Sequence, residues 1–452
     1  MRKLFGTDGI RGVAGTWPLT PEFVRRLGVV AAKKMRGLSG KPACLVVRDT
    51  RRSGPGLQKA LTRGLSAGGL RVYDGGVLPT PAVSALVPRH GFCAGAVLSA
   101  SHNPAEFNGI KFFGPSGTKL PDALELAMER ELPVSPGRMG AVSVPAGSAA
   151  SSFIRAEDEY LGFLRSAWPL KSDLSGLRLV MDGANGATHR VAGRLFRSLG
   201  AEVSALAVSP NGWNINRDCG TLHPQRLARE VLRRRAHVGV AFDGDGDRAM
   251  FVDERGRVCD GDAVLLVTSR ALKARGRLKK NLVAITVMSN LGLKRAFSAL
   301  DIDIVETPVG DRYVWQALRD TGAVLGGEPS GHVIFREFLP TGDGLLTALQ
   351  VLAVLRSSGS PLSALTSLFV RYPQVLVNVK VREKRPLESV RPFWGDVQTV
   401  KKSLGEDGRI FVRYSGTEPL LRIMMEGPSQ DRIRGYADSL VASARRAGLA
   451  SS

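Results

Sequence analysis

The chain has 452 residues, of which 43% are hydrophobic and 23% are charged, a composition typical of a folded globular protein. At roughly 100–200 residues per domain, this length predicts about three or four domains. The net charge of +22 favours anionic partners, but the basic residues are scattered and the aromatic residues, at 6%, are not interleaved with them. We therefore expect no nucleic acid partner, although a basic, metal-binding nucleic-acid module remains the alternative from another class.

The N-terminal segment and the cysteines bear on the cellular compartment. The first twelve residues lack the apolar segment of a signal peptide, and no run of the chain approaches the ~20 apolar residues that a membrane-spanning helix needs. Four cysteines are widely spaced and form no CxxC pair: Cys44, Cys93, Cys219 and Cys259. We expect reduced thiols, a cytoplasmic location and no membrane partner.

Short apolar segments typical of buried strands recur before helical patterns, which predicts an α/β fold. In chain order these strands are predicted at residues 44–47, 94–98, 177–181, 238–242 and 282–287. A polar segment, often rich in glycine, follows each strand, and open α/β sheets place ligand groups at the carboxyl ends of their strands. The similar openings at 44, 177 and 282 indicate three related units.

Two candidate reactive side chains follow the strand at 94–98. Ser101, next to His102, is a candidate nucleophile that would need activation by a base or a metal, although serine, asparagine and proline are also common turn residues. Lys111 lies in an apolar strand, where burial disfavours its charged form. It is a candidate proton-transfer group or phosphate clamp; the alternative is a lysine that extends from an edge strand into solvent.

The residues 133–152 are rich in Pro, Gly, Ser and Ala and predict a linker or loop. Further candidate boundaries lie at 252–262 and 357–361. From Val375 onward, valines alternate with the period of a strand, which predicts a smaller α+β unit of about 80 residues. The predicted domains are an α/β domain over 1–153, a second over 154–254, a third over 255–368, and a C-terminal α+β domain over 369–452.

Three aspartates, Asp243, Asp245 and Asp247, alternate with glycines after the strand at 238–242. A tight turn can direct alternate carboxylates at one hard cation such as Mg²⁺, which prefers oxygen ligands. An EF-hand would require glycine where Arg248 stands and a helix before the loop, so this alternative is disfavoured. A solvated acidic turn is the other alternative, but three carboxylates this close repel one another without a cation.

Two later segments carry groups that suit a phosphorylated sugar. Glu328 and Ser330 combine a carboxylate with a hydroxyl in a glycine-rich turn, a pairing that suits vicinal hydroxyls, although the segment alone also fits an ordinary loop. Residues 413–419, together with Arg422, combine an arginine, hydroxyls and backbone N–H groups beside a glycine, which suits a phosphate dianion. The segment does not match a Walker A loop.

With these motifs assembled, the chain resembles the α-D-phosphohexomutase superfamily, and in particular its bacterial glucosamine branch. The resemblance extends over nearly the whole chain and rests on six segments in the family's order: residues 5–12 (Phe-Gly-Thr-Asp-Gly-Ile-Arg-Gly), 99–104 (Ser-Ala-Ser-His-Asn-Pro), 243–248, 309–314 (Val-Gly-Asp-Arg-Tyr-Val), 328–332 and 413–419. Two departures, Pro329 and the Thr221-Leu222 pair, leave the sugar preference open.

The resemblance implies a fold of three similar mixed α/β domains and a smaller C-terminal α+β domain around a central active-site cleft, with the last domain moving to close it. It implies that Ser101 carries a phosphate and that one Mg²⁺ lies between this group and the aspartates. The implied catalytic residues are Ser101, Lys111, Arg11, His102 and Arg248; the metal ligands are Ser101, Asp243, Asp245 and Asp247; the sugar and phosphate ligands are Glu328, Ser330, Arg413, Ser415, Gly416, Thr417 and Arg422.

The implied activity is that of an isomerase that interconverts glucosamine 6-phosphate and glucosamine 1-phosphate through phospho-Ser101 and a glucosamine 1,6-bisphosphate intermediate. It would supply precursors of UDP-N-acetylglucosamine and the cell wall. The alternative within the family is a phosphoglucomutase or phosphomannomutase. A protein that only binds phosphosugars is a third interpretation, disfavoured because every chemical group is present. A small phosphosugar is the expected partner, and a homodimer is left open.

Overall fold

The computed structural model describes residues 4–6, 8–133, 135, 147–415 and 419–450. The chain forms two compact units, one of Met1–Met288 with Asp301–Ser367 and the other of Ser289–Leu300 with Leu368–Ser452. Within the described part of the chain, no helix combines the length and apolar character needed to cross a membrane. The four cysteines are free thiols, as the sequence predicts, and all four are buried.

The first α/β repeat is a six-stranded mixed sheet with helices between its strands. Its elements are β1 (Ile10–Val13), α1 (Pro21–Met35), β2 (Lys41–Arg48), α2 (Gly54–Ala67), β3 (Arg71–Val77), α3 (Thr80–His90), β4 (Phe92–Leu98), β5 (Phe107–Phe113), α4 (Asp122–Glu129) and β6 (Ser151–Ser152). The strand order is β1-β5-β4-β2-β3-β6, in which β4, β2 and β3 are parallel and β5 runs antiparallel to β4. The predicted strand 94–98 is therefore the end of β4.

The second repeat contains a five-stranded sheet. Its elements are α5 (Ala156–Ser166), β7 (Arg178–Asp182), α6 (Val191–Ser198), β8 (Glu202–Leu206), α7 (Gln225–Arg234), β9 (Val238–Phe242), β10 (Ala249–Asp253) and β11 (Val258–Cys259). The order is β11-β10-β9-β7-β8, with β9, β7 and β8 parallel and β10 antiparallel to β9. Every residue of β9 is buried, as expected for a central strand covered on both faces.

The third repeat has a four-stranded sheet. Its elements are α8 (Gly261–Ala274), a 3₁₀ turn (Lys279–Asn281), β12 (Leu282–Thr286), α9 (Leu291–Ala299), β13 (Asp303–Thr307), α10 (Asp311–Thr321), β14 (Leu325–Gly327), β15 (Val333–Phe335), α11 (Gly344–Ser358) and α12 (Leu362–Leu365). The order is β13-β12-β14-β15, and only β15 is antiparallel to its neighbour. Helix α9 groups with the second compact unit.

The three sheets share one strand arrangement, which confirms the prediction of three related α/β units. In each, the first strand (β2, β7 or β12) lies between the second (β3, β8 or β13) and the third (β4, β9 or β14). An antiparallel fourth strand (β5, β10 or β15) lies on the other side of the third. A helix connects each pair of successive parallel strands in all three repeats, so each turn after a third strand occupies an equivalent place. The domain boundaries inferred from the sequence remain a proposal.

The C-terminal sheet is three-stranded and antiparallel, which confirms the predicted α+β unit. Its elements are β16 (Gln374–Lys380), a 3₁₀ turn (Leu387–Ser389), α13 (Arg391–Leu404), a second 3₁₀ turn (Gly405–Asp407), β17 (Arg409–Tyr414), β18 (Leu420–Glu426) and α14 (Gln430–Arg446). The order is β16-β18-β17. Val375 and Val379 are buried in the core against α13 and α14, so the alternation in the sequence marks one covered face.

Candidate active site

Three of the motifs found in the sequence occupy the equivalent turn of the three α/β repeats. Residues 99–106 connect β4 to β5, residues 243–248 connect β9 to β10, and residues 328–332 connect β14 to β15. The turns meet within the first compact unit: the Ala249 N–H donates to the Gly331 carbonyl at 3.1 Å, and Ser101 bonds to Asp243. The strand order shared by the repeats therefore brings Ser101 close to side chains that lie about 140 and about 230 residues further along the sequence.

Ser101 is held in an uncommon backbone conformation at the end of β4. Its φ is +51°, a left-handed value, and its side chain is 1% exposed. Its backbone N–H donates to Ser99 Oγ at 2.9 Å, and its own Oγ donates to Asp243 Oδ2 at 2.5 Å. The hydroxyl of one repeat is thus directed at the aspartate turn of the next.

The three aspartates form a buried cluster. One carboxylate oxygen from each of Asp243, Asp245 and Asp247 lies within 4.8 Å of the others. The Oδ1 atoms of Asp245 and Asp247 are buried without a hydrogen-bond partner among the residues that the structure describes. Thr80 Oγ1 donates to Asp245 Oδ2 at 2.7 Å. A cluster of buried carboxylate oxygens with unused lone pairs fits a hard divalent cation.

The surroundings shift the pKa values of the clustered aspartates in opposite directions. Burial, together with repulsion from Asp247 and Asp245, raises the pKa of Asp243 well above its ordinary value. Burial also opposes ionisation of Asp247, but hydrogen bonding from His332, together with the charges of Lys111 and Arg248, lowers its pKa overall. Asp243 is therefore the carboxylate that gains most from an additional cation.

Lys111 is a buried ammonium group among carboxylates. It lies inside β5 with 2% of its side chain exposed, and its Nζ is 3.0 Å from Asp245 Oδ2, 3.7 Å from Asp8 Oδ1 and 3.9 Å from Asp247 Oδ2. Burial disfavours the charge, but these carboxylates together raise the pKa of Lys111 above its ordinary value. The lysine that is unusual in an apolar strand is thus a fixed positive charge within the aspartate cluster.

His102, Arg11 and Arg248 surround the same turn. His102 Nδ1 is 3.4 Å from Ser101 Oγ, and burial, with the charges of Arg248 and Arg11, lowers the pKa of His102 to about 4. The imidazole is therefore neutral at neutral pH. Arg11 forms an ion pair with Asp8, and Arg248 Nε is 3.8 Å from Asp247 Oδ1. Burial lowers the pKa of Arg248, but Asp247 and Asp243 outweigh it and raise that pKa.

The Glu328–His332 turn presents its polar atoms beside the aspartates. Glu328 Oε1 accepts from the Gly310 N–H at 3.0 Å, and Ser330 Oγ is buried with no hydrogen-bond partner within the described ranges. His332 Nε2 accepts from the Gly342 N–H at 2.9 Å, which places the proton of a neutral imidazole on Nδ1, 3.6 Å from Asp247 Oδ2. The turn therefore leaves a hydroxyl available for a ligand.

The predicted phosphate loop belongs to the second compact unit. Arg413 on β17 stands directly opposite Arg422 on β18, and burial, followed by the charge of Arg422, lowers the pKa of Arg413. Like charges directly opposite each other destabilise two antiparallel strands. An anion bound between these two arginines would relieve that repulsion. The Ser415 N–H donates to the Leu420 carbonyl at 2.8 Å. Two further predicted ligands, Gly416 and Thr417, lie outside the described residues.

Several residues at the site were not predicted as functional from the sequence. Lys119 Nζ lies 2.5 Å from Asp8 Oδ1 and 2.6 Å from Asp311 Oδ2, beside a cavity of about 470 Å³ that Lys119 and Asp311 line. Asp8 and Asp311 both fall in segments that carried the family resemblance, so a signal for them was present. Nothing in the local sequence distinguishes Lys119 from a solvated lysine.

Arg51 is a second residue that was missed. It is fully buried, pairs with Asp49 at 2.7 Å, and donates to the carbonyls of Ser101, Asn103 and Phe107 at 2.8–2.9 Å. One guanidinium thus holds much of the backbone that carries the serine. The sequence marked residues 48–51 only as a polar segment after a strand, because the partners of Arg51 lie about 50 residues further along.

Comparison with known proteins identifies the family. Four domain families match in order: phosphoglucomutase/phosphomannomutase α/β/α domain I at residues 2–133, domain II at 158–256, domain III at 260–372, and the C-terminal domain at 376–443. These matches agree with the three α/β repeats and the final α+β sheet. The chain belongs to the phosphoglucomutase/phosphomannomutase family.

Relatives within the family cover almost the whole chain. A protein of Solibacter usitatus named phosphoglucosamine mutase is 46% identical over 98% of this chain and 99% of its own length. A protein of Pelobacter propionicus with the same name is 44% identical over 98% of both chains. Among solved structures, a phosphoglucomutase/phosphomannomutase family protein from Burkholderia thailandensis superposes with a TM-score of 0.78 at 25% identity, covering 98% of this chain and 97% of the other.

Proposed function

We propose that this chain is an isomerase with phosphoglucosamine mutase activity, which interconverts glucosamine 6-phosphate and glucosamine 1-phosphate. The observation that carries the proposal is the 2.5 Å hydrogen bond from Ser101 Oγ to Asp243 within a buried aspartate cluster. The name shared by relatives at 44–46% identity over nearly the full length supports the glucosamine substrate. The same similarity supports a role in supplying amino-sugar precursors of the cell wall.

In the first half of the proposed reaction, phospho-Ser101 transfers its phosphoryl group to the 1-hydroxyl of glucosamine 6-phosphate. The bond between Ser101 Oγ and phosphorus breaks, a bond from the sugar O1 to phosphorus forms, and the proton of the sugar hydroxyl ends on Ser101 Oγ. The product is glucosamine 1,6-bisphosphate. In the second half the bisphosphate turns, the bond from the sugar O6 to phosphorus breaks as Ser101 Oγ bonds to that phosphorus, the Ser101 proton ends on O6, and glucosamine 1-phosphate leaves.

Asp243, Asp245 and Asp247, together with the phosphorylated Ser101, are the residues that would hold one Mg²⁺. When bound, the ion neutralises charge on the transferring phosphoryl group. The unused oxygens of Asp245 and Asp247 and the raised pKa of Asp243 fit this assignment. Ser101 is buried beside these carboxylates, so its phosphate would face little competing water.

The surrounding cations have proposed roles that follow from their charge state. Arg11 and Arg248 stabilise the phosphoryl group as fixed positive charges. The raised pKa of Lys111 keeps it protonated, so we assign it the donation of a proton to the leaving oxygen of Ser101 and its recovery from the sugar hydroxyl. Neutral His102, whose Nδ1 lies 3.4 Å from Ser101 Oγ, donates to that oxygen and orients it.

The remaining predicted residues would bind the substrate. Glu328 and Ser330 would hold two sugar hydroxyls, and the unpartnered Ser330 Oγ supports this. The non-reacting phosphate would bind to the opposed arginines and the loop after them: Arg413, Ser415, Gly416, Thr417 and Arg422. Because the two ends of the sugar exchange roles, this loop must accept either phosphate. The cytoplasmic location and the homodimer also remain proposals.

Replacement of Ser101 tests the proposal. Ser101→Ala should lower kcat by about a thousandfold or more, because the phosphoryl carrier is lost. Ser439→Ala, which removes a hydroxyl from an exposed helix surface, is the matched control and should retain activity. Mass spectrometry of the native protein should show a phosphate-sized increment on the peptide that contains Ser101. Near-normal turnover of Ser101→Ala would refute the assignment.

The family also contains phosphoglucomutases and phosphomannomutases, so the sugar preference needs its own measurement. The kcat/KM values for glucosamine 6-phosphate, glucose 6-phosphate and mannose 6-phosphate should be compared under identical conditions. We expect the highest value for glucosamine 6-phosphate. A higher value for either of the other sugars would assign the alternative activity to the same site.

A further inference from the structure

The serine turn and the aspartate turn belong to different α/β repeats, yet they touch backbone to backbone. A Cβ atom added to Gly244 would lie 2.5 Å from the carbonyl oxygen of Ser101, so only glycine allows this approach. The proposed phosphoryl transfer needs the two turns in register to within about 0.5 Å. The contacts that set this register are therefore candidates for positioning residues.

Asn216 lies at this junction. It follows β8 in the second repeat, and its side-chain Nδ2 donates to the carbonyls of Ser101 at 2.9 Å and Asn103 at 3.1 Å in the first repeat. A Cβ added to Gly244 would stand 2.9 Å from the same Nδ2 atom, so the amide sits between the two turns. Neither the metal ligands nor the proposed sugar ligands include this residue.

The backbone of Asn216 is itself fixed to the second repeat. Its N–H donates to the Ala184 carbonyl, in the turn after β7, at 2.9 Å, and its φ is +59°. Asparagine tolerates this left-handed conformation better than most residues. Arg51 holds the same Ser101 and Asn103 carbonyls from inside the first repeat, and Asn216 holds them from the second.

We propose that Asn216 is a positioning residue, whose amide clamps the serine turn of the first repeat in register with the aspartate turn of the second. The inference rests on the proposed phosphoryl transfer through Ser101. Phosphoryl transfer depends almost entirely on positioning and electrostatic stabilisation, so a small displacement of Ser101 from the cation site should lower the rate strongly. Substrate affinity should change little, because Asn216 contacts backbone rather than the proposed sugar ligands.

Two substitutions of Asn216 separate the clamp from a packing role. Asn216→Gly keeps the left-handed backbone accessible and removes the whole side chain, including the amide donor. Asn216→Asp keeps the shape but replaces the donor with an oxygen that faces two carbonyl oxygens. The clamp predicts that Asp is more damaging than Gly, whereas a packing role predicts the reverse. Asp218→Gly is the matched control, since Asp218 is an exposed residue of the same loop with a φ of +54°.

We expect kcat to fall about tenfold or more in Asn216→Gly and further in Asn216→Asp, with KM within about twofold of the parent and Asp218→Gly unchanged. Hydrogen exchange of backbone amides at 101–107 should be faster in both Asn216 variants than in Asp218→Gly. Unchanged kcat, a milder effect of Asp than of Gly, or unchanged exchange at 101–107 would overturn the inference. A parent enzyme without mutase activity would instead refute the proposed function, and the exchange measurement would still decide the clamp.

Discussion

At the scale of single residues, the buried carboxylates of one turn differ in how strongly their surroundings favour ionisation, because their neighbours differ. Lys111 bonds to Asp245 at 3.0 Å and His332 lies 3.6 Å from Asp247, whereas burial and two neighbouring carboxylates disfavour the charge on Asp243. Holding buried carboxylates this close together costs stability, and a bound cation would offset that cost. Function and stability should therefore respond in opposite directions at Asp243.

Asp243→Asn should raise the thermal midpoint measured in a chelator, because it removes the least favourable charge of the cluster. In the parent protein, Mg²⁺ at about 100 times its Kd should add about 3 kcal/mol of stability, and the Asp243→Asn variant should lose most of this gain. Thermal unfolding with and without Mg²⁺ measures both effects.

Asp182→Asn is the control for that experiment, since Asp182 is also a buried carboxylate whose burial raises its pKa, but it lies outside the cluster. It should keep the full response to Mg²⁺. Retention of that response in Asp243→Asn would contradict the metal assignment.

A second residue-scale prediction concerns Asp343, which caps α11. Its Oδ1 accepts from the Leu345 and Leu346 N–H groups, its Oδ2 accepts from the Tyr160 hydroxyl at 2.8 Å, and burial raises its pKa from 3.8 to about 6. Between these pKa values the folded state binds more protons than the unfolded state. The free energy of unfolding should therefore fall as pH rises through this window, by up to about 3 kcal/mol from this group.

Asp343→Asn retains an oxygen for the cap and cannot ionise, so its unfolding free energy should lack this fall. Urea unfolding of the parent and the variant at about pH 4.5 and about pH 7 gives the comparison. Relative to the parent, the unfolding free energy of the variant should be higher at about pH 7 than at about pH 4.5. Parallel pH profiles would show that Asp343 keeps an ordinary pKa.

At the scale of structural elements, the same turn of three repeats carries three different chemistries. The turn after the third strand supplies Ser101, the aspartate cluster and the Glu328–Ser330 pair, and the shared strand order brings the three turns together. Close contact between turns demands residues without side chains at certain points. Gly331 is one, since its φ is +91° and an added Cβ would lie 2.3 Å from the Ala249 carbonyl oxygen.

Gly331→Ala should therefore displace the third turn from the second. We expect a loss of about 2–4 kcal/mol in stability and a higher KM for the phosphosugar, because Glu328 and Ser330 move with the turn. Gly359→Ala is the control: it has a φ of +65° but no atom within 4 Å of an added Cβ. It should cost only about 1 kcal/mol and leave KM unchanged. Equal effects of the two substitutions would contradict the contact argument.

At the scale of the whole molecule, attraction of a small anionic substrate explains the net charge of +22 without any binding of nucleic acid. The substrate carries a phosphate, and a strongly positive protein attracts such anions at long range. Most of the basic residues that the structure describes are exposed, and they are spread over several helices, including α6, α7 and α14. The attraction would therefore come from the whole surface rather than from one patch.

This field predicts a salt dependence. Raising ionic strength from roughly 0.02 M to roughly 0.3 M shortens the Debye length several-fold and should raise KM for glucosamine 6-phosphate by about three- to tenfold, with kcat at saturation nearly constant. Steady-state kinetics in sodium chloride measures this, and a neutral osmolyte at matched concentration is the control. A KM that does not change with salt would leave the high charge without a role in substrate binding.

The sequence alone determined the α/β class, the three related units, the C-terminal sheet and the chemistry offered by Ser101, the aspartates and Lys111. These features are local, because strand patterns, turn residues and ligand spacings each depend on a few neighbouring residues in the sequence. The family match confirms the class.

Only the tertiary structure decided which side chains act on one another. Arg51, Asn216 and Lys119 reach partners that lie between about 50 and about 190 positions away, and no local pattern specifies such contacts. The charge states also depend on the fold, since Lys111 becomes a stable ammonium only because three carboxylates from other segments surround it. Burial and proximity set these properties, and both arise only when distant segments pack together.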